Sequence, residues 1–363
     1  METRLNRENF LRALESTKAG LAQREIIEQS TCFVFRGGRV YTYNDEASVS
    51  GPSGLPKEFE GAVQAAEVLE VLRRWKHEDC RVAAVDGELV VSSKRDHAGF
   101  RLMDEVRLPL QAVEEPGKWR PLPEEFGEAV QFVQACAGKD ESPSRQVLTH
   151  VHLHPKWVEA CDDFQVCRWL MQTPVTVPTL VKRSTLDGIN TLGVSELSES
   201  KGWVHFRNGR GVVLSCRRYV DPYPSEALEQ YLNARGNKVA LPKGLKEATE
   251  TAGIFTAQNS DANLIEVTLK AGKVRLHGRG QTGWYQHSAA VEWDGPHICF
   301  LVPPAALVDI VTKYNEVELG DTTVCVRGAS YTYASILALP PEEGEAPAPA
   351  PKKKRQKAEA EAE

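Results

Sequence analysis

Three histidines alternate in the stretch "HVHLH" at 150–154. On a β-strand alternate residues share a face, so His150, His152 and His154 would line up as imidazoles do around a divalent metal. Catalytic zinc takes three protein ligands held by a supporting shell. A metal-dependent hydrolase or nuclease would add Asp45 of "YNDE" and Asp162 of "CDD". Nothing in the chain pairs these acids with a base or a metal, and strand alternation with the histidines on the solvent face explains the pattern equally well. The glycine-rich "GRGQTGW" at 278–284 lacks the Gly-Lys-Ser/Thr ending of a phosphate loop and follows a hairpin strand, so it reads as a turn. No metal, no cofactor and no catalytic residue is expected.

The remaining chemistry lies in the cations, and the elements that carry them come first. The chain has 363 residues with 41% apolar content, enough for two or three domains with real cores. The net charge of −6 excludes a simple basic nucleic-acid binder, so local placement must carry any such claim. No apolar run approaches the roughly 20 residues that span a bilayer. The polar start "METRLNREN" reads as no signal peptide. Eight scattered cysteines (32, 80, 136, 161, 167, 216, 299 and 325), none in a C-x-x-C pair, suit reduced, mostly buried thiols in a cytoplasm-like compartment.

A hairpin pattern begins at residue 33 ("FVFRGGRVYTYND") and returns at 151 ("VHLHPKWVEACDD") and 267 ("VTLKAGKVRLHGR"). Amphipathic helices are expected before each copy, at 7–21, 124–138 and 243–257. Second helices are expected after each, at 63–75, 177–189 and 302–314, the last two opening on Val-Pro. Further hairpins follow, with turns at "DGE", "RNGRG" and "RGAS". The order helix, strands, helix, strands thus recurs three times at about 115–120 residues, as a repeated architecture requires. The fold class is α+β: three repeated domains, each with two helices on antiparallel sheets, at 1–115, 120–225 and 238–339. Linkers are read at 113–123 and 221–238. The end, 340–363, is a Pro, Ala and charge-rich tail without an apolar pattern, and it reads as disordered.

Exposed edge strands of such domains could pair with their neighbours and propagate an arc. Two chains related by a two-fold axis would close six domains into a ring. Twelve inward helices ~10 Å apart give a circle ~38 Å across, leaving a hole of ~28 Å, wide enough for a duplex of roughly two helix widths.

Over residues 7–339 the chain resembles the bacterial-type sliding clamp, the β subunit of the replicative DNA polymerase III. The resemblance rests on the helix-to-strand opening "FLRALESTKAGLAQREIIEQSTCFVF", on "VTVPTLVKRS" and "CFLVPPAALVDIV", and on "RRYVDPYP" at 217–224. It implies a non-enzymatic processivity factor, a head-to-tail homodimer ring in the cytoplasm. Such a ring would encircle double-stranded DNA and bind a DNA polymerase and a clamp loader. The alternatives are the metal-dependent hydrolase above and a structural repeat protein without DNA.

The resemblance then assigns roles. Sequence-blind contact with duplex phosphates falls to Lys and Arg on the inward helices and their loops: Arg7, Arg12, Lys18, Arg24, Arg73, Arg74, Arg145, Lys182, Arg183, Lys243, Lys246 and Lys313. The acids Glu124, Glu125 and Glu128 make the first helix of the middle domain a poor contributor. A pocket for partner peptides is expected from Leu148, Cys161, Phe164, Val166, Ile336, Leu337 and Leu339. Phe100, Ile254 and Phe255 would lie at the interface between chains. Ordinary core packing accounts for many of these residues as well.

Overall fold

The structure is a computed structural model, described here for residues 2–257, 263–320 and 322–338. The first repeat runs β1 (Glu2–Asn6), α1 (Arg7–Thr17), β2 (Cys32–Arg36), β3 (Arg39–Tyr43), β4 (Ala47–Pro52) and β5 (Gly61–Gln64). It continues with α2 (Ala65–Arg74), β6 (Asp79–Val85), β7 (Glu88–Ser92) and β8 (His97–Arg101). The second runs β9 (Arg120–Pro121), α3 (Phe126–Gln134), β10 (His150–His154), β11 (Trp157–Cys161), β12 (Gln165–Leu170) and β13 (Thr179–Lys182). It ends with α4 (Gly188–Leu192), β14 (Glu196–Glu199), β15 (Trp203–Arg207) and β16 (Val213–Tyr219). The third runs α5 (Ser225–Leu232), β17 (Asn237–Ala240), α6 (Leu245–Thr256), β18 (Ile265–Lys270), β19 (Lys273–Gly280) and β20 (Gly283–Ala290). It closes with β21 (Ile298–Val302), α7 (Pro304–Lys313), β22 (Glu316–Leu319), β23 (Thr323–Arg327) and β24 (Tyr331–Ile336).

By contact the chain divides into two units, 1–228 with 329–332, and 229–328 with 333 onward. In the first unit β1-β6-β7-β8 form one sheet, and β4-β3-β2-β5 and β12-β11-β10-β13 form parts of another. The two repeats of this unit join edge to edge. β16 pairs antiparallel with β4, Val213 opposite Ser50 through Cys216 opposite Ala47. In the second unit the same two orders recur as β17-β22-β23-β24 and β20-β19-β18-β21. A short strand precedes the first helix of each repeat and pairs with the first strand of the later hairpin: β1 with β6, β9 with β14, β17 with β22.

The helices form where apolar spacing and caps agree. Asn6 caps α1, its side-chain oxygen accepting from the Asn9 N–H at 3.0 Å, and Phe10, Leu11 and Leu14 enter a core with Phe33, Val63, Leu72, Val82 and Leu89. Pro304 opens α7 at the N-terminal position where its missing N–H costs nothing. In the second unit Leu245, Ala252, Val267, Leu276, Phe300 and Ile310 are buried. All eight cysteines are free, seven of them buried. No helix among the described residues is long and apolar enough to cross a membrane.

Three expectations are corrected. The helix read at 177–189 is instead strand β13, then a 3-10 turn at Arg183–Asp187, and only then α4. Thr179 and Val181 are β-branched and fit a pleated surface, and whereas β5 and β21 run into their helices with at most one residue between, β13 is separated from α4 by the 3-10 turn. The 221–238 linker contains α5 and the start of β17, and β9 lies within the 113–123 linker. The histidines do not face solvent: His150 and His152 are 4% and 8% exposed, because the chain from Tyr219 to Ser225 crosses their face. Tyr219 stacks on His150 at 4.6 Å and Tyr223 lies 4.8 Å from His152. The tail 340–363 lies outside the described residues.

Candidate nucleic-acid interface and peptide cleft

The twelve cations separate by what they touch. Arg7 donates to the carbonyls of Leu72 and His77 at 3.1 Å, closing the C-terminal end of α2, and Arg183 donates to the Ala137 carbonyl at 2.7 Å. Both guanidiniums are structural pins. Lys182 sits between Glu141 at 3.0 Å and Glu46 at 3.5 Å. Burial works against its charge, yet the two carboxylates hold its ammonium above the ordinary value, so it is already neutralised. Arg145 is likewise tied to Asp163 at 2.9 Å and Asp140 at 3.4 Å.

Arg12, Arg74 and Lys313 make i,i+4 pairs along their own helices, with Glu8, Glu70 and Asp309, and Arg73 links α2 to α1 through Glu15 at 2.9 Å. These pairs are solvent-exposed and weak, so a phosphate can compete for the cation. Lys18, Arg24, Lys243 and Lys246 are exposed and have no ion-pair partner among the described residues. Sequence reasoning missed Arg210, an exposed residue in the turn between β15 and β16. With Arg12, Asn9 and Ser16 of α1 it lines a cleft of about 220 Å³. Its basic character was the available signal, but only the β4–β16 junction brings it beside α1.

The peptide candidates also divide. A cleft of about 330 Å³ at the tip of the β11–β12 hairpin is lined by Leu148, Phe164, Arg145, Gly138, Asp162 and Asp163, among others. Phe164 stands 57% exposed there, presented by a turn in which Asp162 accepts from the backbone N–H of Phe164 and of Gln165. Cys161 and Val166 are a cross-strand pair buried in the sheet. Tyr223 donates to the Cys161 sulfur at 3.2 Å, and burial pushes that thiol up to about 12. In the second unit Ile336 is half-buried and Leu337 is buried, the latter lining an apolar cavity with Pro242, Leu245 and Phe300. Leu339 lies outside the described residues.

The interface candidates occupy β8 and α6. Phe100 is half-buried against the core of the first repeat, Ile254 is 66% exposed, and Phe255 packs over Gly280 and Gly283. The glycine-rich run thereby acquires a cause. A Cβ at Gly278 or Gly280 would overlap the carbonyl oxygens of Ala252 and Phe255, so glycine lets α6 lie directly on β19, and Gln281 and Thr282 form the turn into β20.

Beneath the Tyr219–Ser225 crossing lies a buried polar network. Glu159, fully buried, accepts from His152 Nδ1 at 2.8 Å, Arg168 Nε at 2.7 Å and Ser225 Oγ at 2.6 Å. Burial alone would raise this carboxyl; the donors and the Arg168 charge instead hold it at about 2. Asp45 is engaged by Arg217 at 2.5 Å and by Tyr43. No group of three metal-ligating side chains occurs among the described residues.

No family model and no curated protein matches the sequence. Solved structures do. The DNA polymerase III β subunit of Thermotoga maritima superimposes with a TM-score of 0.79 at 15% identity, over 93% of this chain and 99% of that one. The chain has the sliding-clamp fold. The DNA polymerase III β subunit of Pseudomonas aeruginosa gives a TM-score of 0.77 at 15% identity, over 93% and 100% of the two chains. A Bartonella birtlesii sliding clamp bound to griselimycin gives 0.80 at 14%, over 93% and 99%. Within the clamp fold the α+β class and the threefold repetition of helix and sheet read from the sequence both hold.

Proposed function

We propose that the chain is a DNA sliding clamp, a ring-shaped processivity factor with no catalytic role that encircles duplex DNA and tethers a DNA polymerase. The observation that carries this reading is the clamp fold over 93% of the chain. Edge-to-edge joining of β4 and β16 supports it, because this is how an arc of domains propagates. The domains divide at 1–115, 120–225 and 238–339, with the tail at 340–363, and two chains make the closed ring.

Lys18, Arg24, Lys243 and Lys246, with Arg12 and Arg210, supply a salt-sensitive, sequence-blind hold on phosphates. Polymerase and clamp loader present a short peptide to the cleft at Leu148 and Phe164. The protein works where the replicating DNA is, in the cytoplasm. The test is topological: protein cross-linked into closed rings around nicked circular DNA stays bound through a high-salt wash and is released when the circle is linearised. Release that does not depend on linearisation would contradict the proposal.

A further inference from the structure

Where the first two repeats join, the sheet has a face turned away from α1, and a cleft lies on it. One row of residues crosses four strands there: Tyr41 opposite Ser50, Ser50 opposite Val213, and Val213 opposite Arg207. The adjacent row, Thr42, Val49, Leu214 and Phe206, points to the other face and is wholly buried, Thr42 donating to the Thr17 carbonyl of α1. Side chains alternate along each strand, so the first row is left half-buried on the open face. The segment 110–119 walls one side of this row and encloses about 530 Å³, a volume in the range of ligand clefts.

The wall is held in place. The Glu114 carboxylate accepts from the Gly202 N–H at 2.8 Å, the Ala112 carbonyl accepts from Trp203 Nε1 at 3.0 Å, and Arg207 lies 4.4 Å over the Trp119 ring. All three contacts fix the segment to β15 or to the turn before it. The cleft is therefore formed in advance of any occupant, which lowers the cost of binding.

Charge divides the cleft along its length. At the β15 end Arg207 is already paired with Glu196, Nε at 2.8 Å and Nη2 at 2.7 Å. Glu114 and Glu115 stand exposed on the wall there, and the Gly202 N–H holds the Glu114 carboxyl below its usual range. At the β3 end Arg39 donates to Ser50 Oγ and to the Gly211 carbonyl, both at 3.0 Å. No carboxylate among the described residues pairs with it. A cation without a counter-ion thus marks one end and carboxylates mark the other.

Three strand spacings separate these ends, about 14 Å, or the rise of about four extended residues. A single phosphate or carboxylate would fill only the Arg39 end. The floor suits a peptide backbone: Ser50 Oγ, which accepts from Arg39, keeps its own proton to donate, and Ser48 Oγ, which donates to the Thr42 carbonyl, can accept. We infer that this cleft is a second docking site, for a short extended peptide of a partner protein, with an acidic residue on Arg39 and an apolar or aromatic residue about four positions away against Trp119, Leu110 and Val113. It shares no residue with the cleft at Leu148 and Phe164.

The experiment pans a phage-displayed library of random linear heptapeptides on the full-length Phe164→Ala protein, which blunts the other cleft, without DNA. Enriched peptides are synthesised with a fluorophore and titrated by anisotropy. They are expected to carry an aspartate or glutamate with an apolar residue about four positions away. Arg39→Gln should weaken their binding roughly tenfold or more, as loss of a charge-assisted hydrogen bond does, and Arg39→Lys should weaken it less. Trp119→Ala should also cost about tenfold. Trp119 lies outside the sheet, so this variant reads the cleft even where an Arg39 variant fails to fold.

Enriched peptides with no excess of acidic residues over the library, or with affinities that none of these variants changes, overturn the proposal. Panning that enriches nothing above an uncoated surface overturns it too. Inorganic phosphate that binds through Arg39 where no peptide does makes the cleft a small-anion site and overturns the peptide as occupant. The readout needs neither ring nor DNA, so its failure is distinct from a failure of the clamp reading.

Discussion

Glu159 and His152 face each other across β10 and β11, Oε1 to Nδ1 at 2.8 Å, with Arg168 completing the carboxylate from β12 and Ser225 closing it from the crossing segment. An alternating histidine strand that resembles a metal site is thus the floor of an ion-pair network. Removing one member of a buried pair leaves the other charge unpaired, at a cost of about 3–5 kcal/mol. Glu159→Ala should therefore lower the unfolding midpoint by several degrees, measured by calorimetry, while Phe164→Ala leaves it unchanged.

The same carboxyl gives an acid signature. Its folded value of about 2 lies below the ordinary carboxylate range. Its stabilisation is therefore complete above about pH 5 and is lost as pH falls toward 2, amounting to about 3 kcal/mol. Urea titrations should show a loss over this window that Glu159→Gln abolishes.

A buried histidine, His205, titrates above this carboxyl. His205 is fully buried between Ser215 Oγ at 2.8 Å and Ser200 Oγ at 3.0 Å, and burial pushes it down to about 4. Between pH 6.5 and 4 the unfolded chain binds the proton and the folded chain does not. Stability should fall across that window by about 3 kcal/mol as pH drops. The loss precedes that of Glu159 and should vanish in His205→Asn, monitored by the same titration.

Cations should separate by their partners. Arg24→Ala and Lys243→Ala should each reduce the slope of log affinity for duplex DNA against log salt by about 0.9, with thermal stability unchanged. Arg7→Ala and Arg183→Ala, which strip donors from part-buried backbone carbonyls, should lower stability and leave the slope alone. Fluorescence anisotropy at four salt concentrations, beside a melting curve, distinguishes the two classes.

At the cleft proposed for partner peptides, Phe164→Ala should weaken binding of a synthetic peptide from the partner polymerase about tenfold or more, as expected for a central aromatic anchor. Val166→Ala, a buried sheet position, should mainly lower the melting temperature. Isothermal titration with both variants reads the difference.

Local patterns were legible where local physics decides them. Phe10, Leu11 and Leu14 mark α1 by helical spacing, and the Gly37–Gly38 turn, both residues at positive φ, marks the first hairpin. The strands β1, β9 and β17 escaped notice because their pairing partners lie tens of residues away. In the middle repeat "VPTLVKRS" carries a helix-start signal ahead of β-branched residues that pleat into β13. Charges were visible, but their partners were not: Lys182 meets Glu46, which is 136 positions earlier in the chain, only through the junction of β16 with β4. Nothing in "HVHLH" announces the Tyr219–Ser225 crossing that covers His150 and His152.

The central claim is a two-chain ring. Negative-stain imaging of the purified protein, with mass by light scattering on the same sample, tests it most directly. The account predicts particles of twice the 40.2 kDa chain mass with a central hole of about 30 Å, three inward helix diameters across. Dimers that are solid, without a hole, would contradict it.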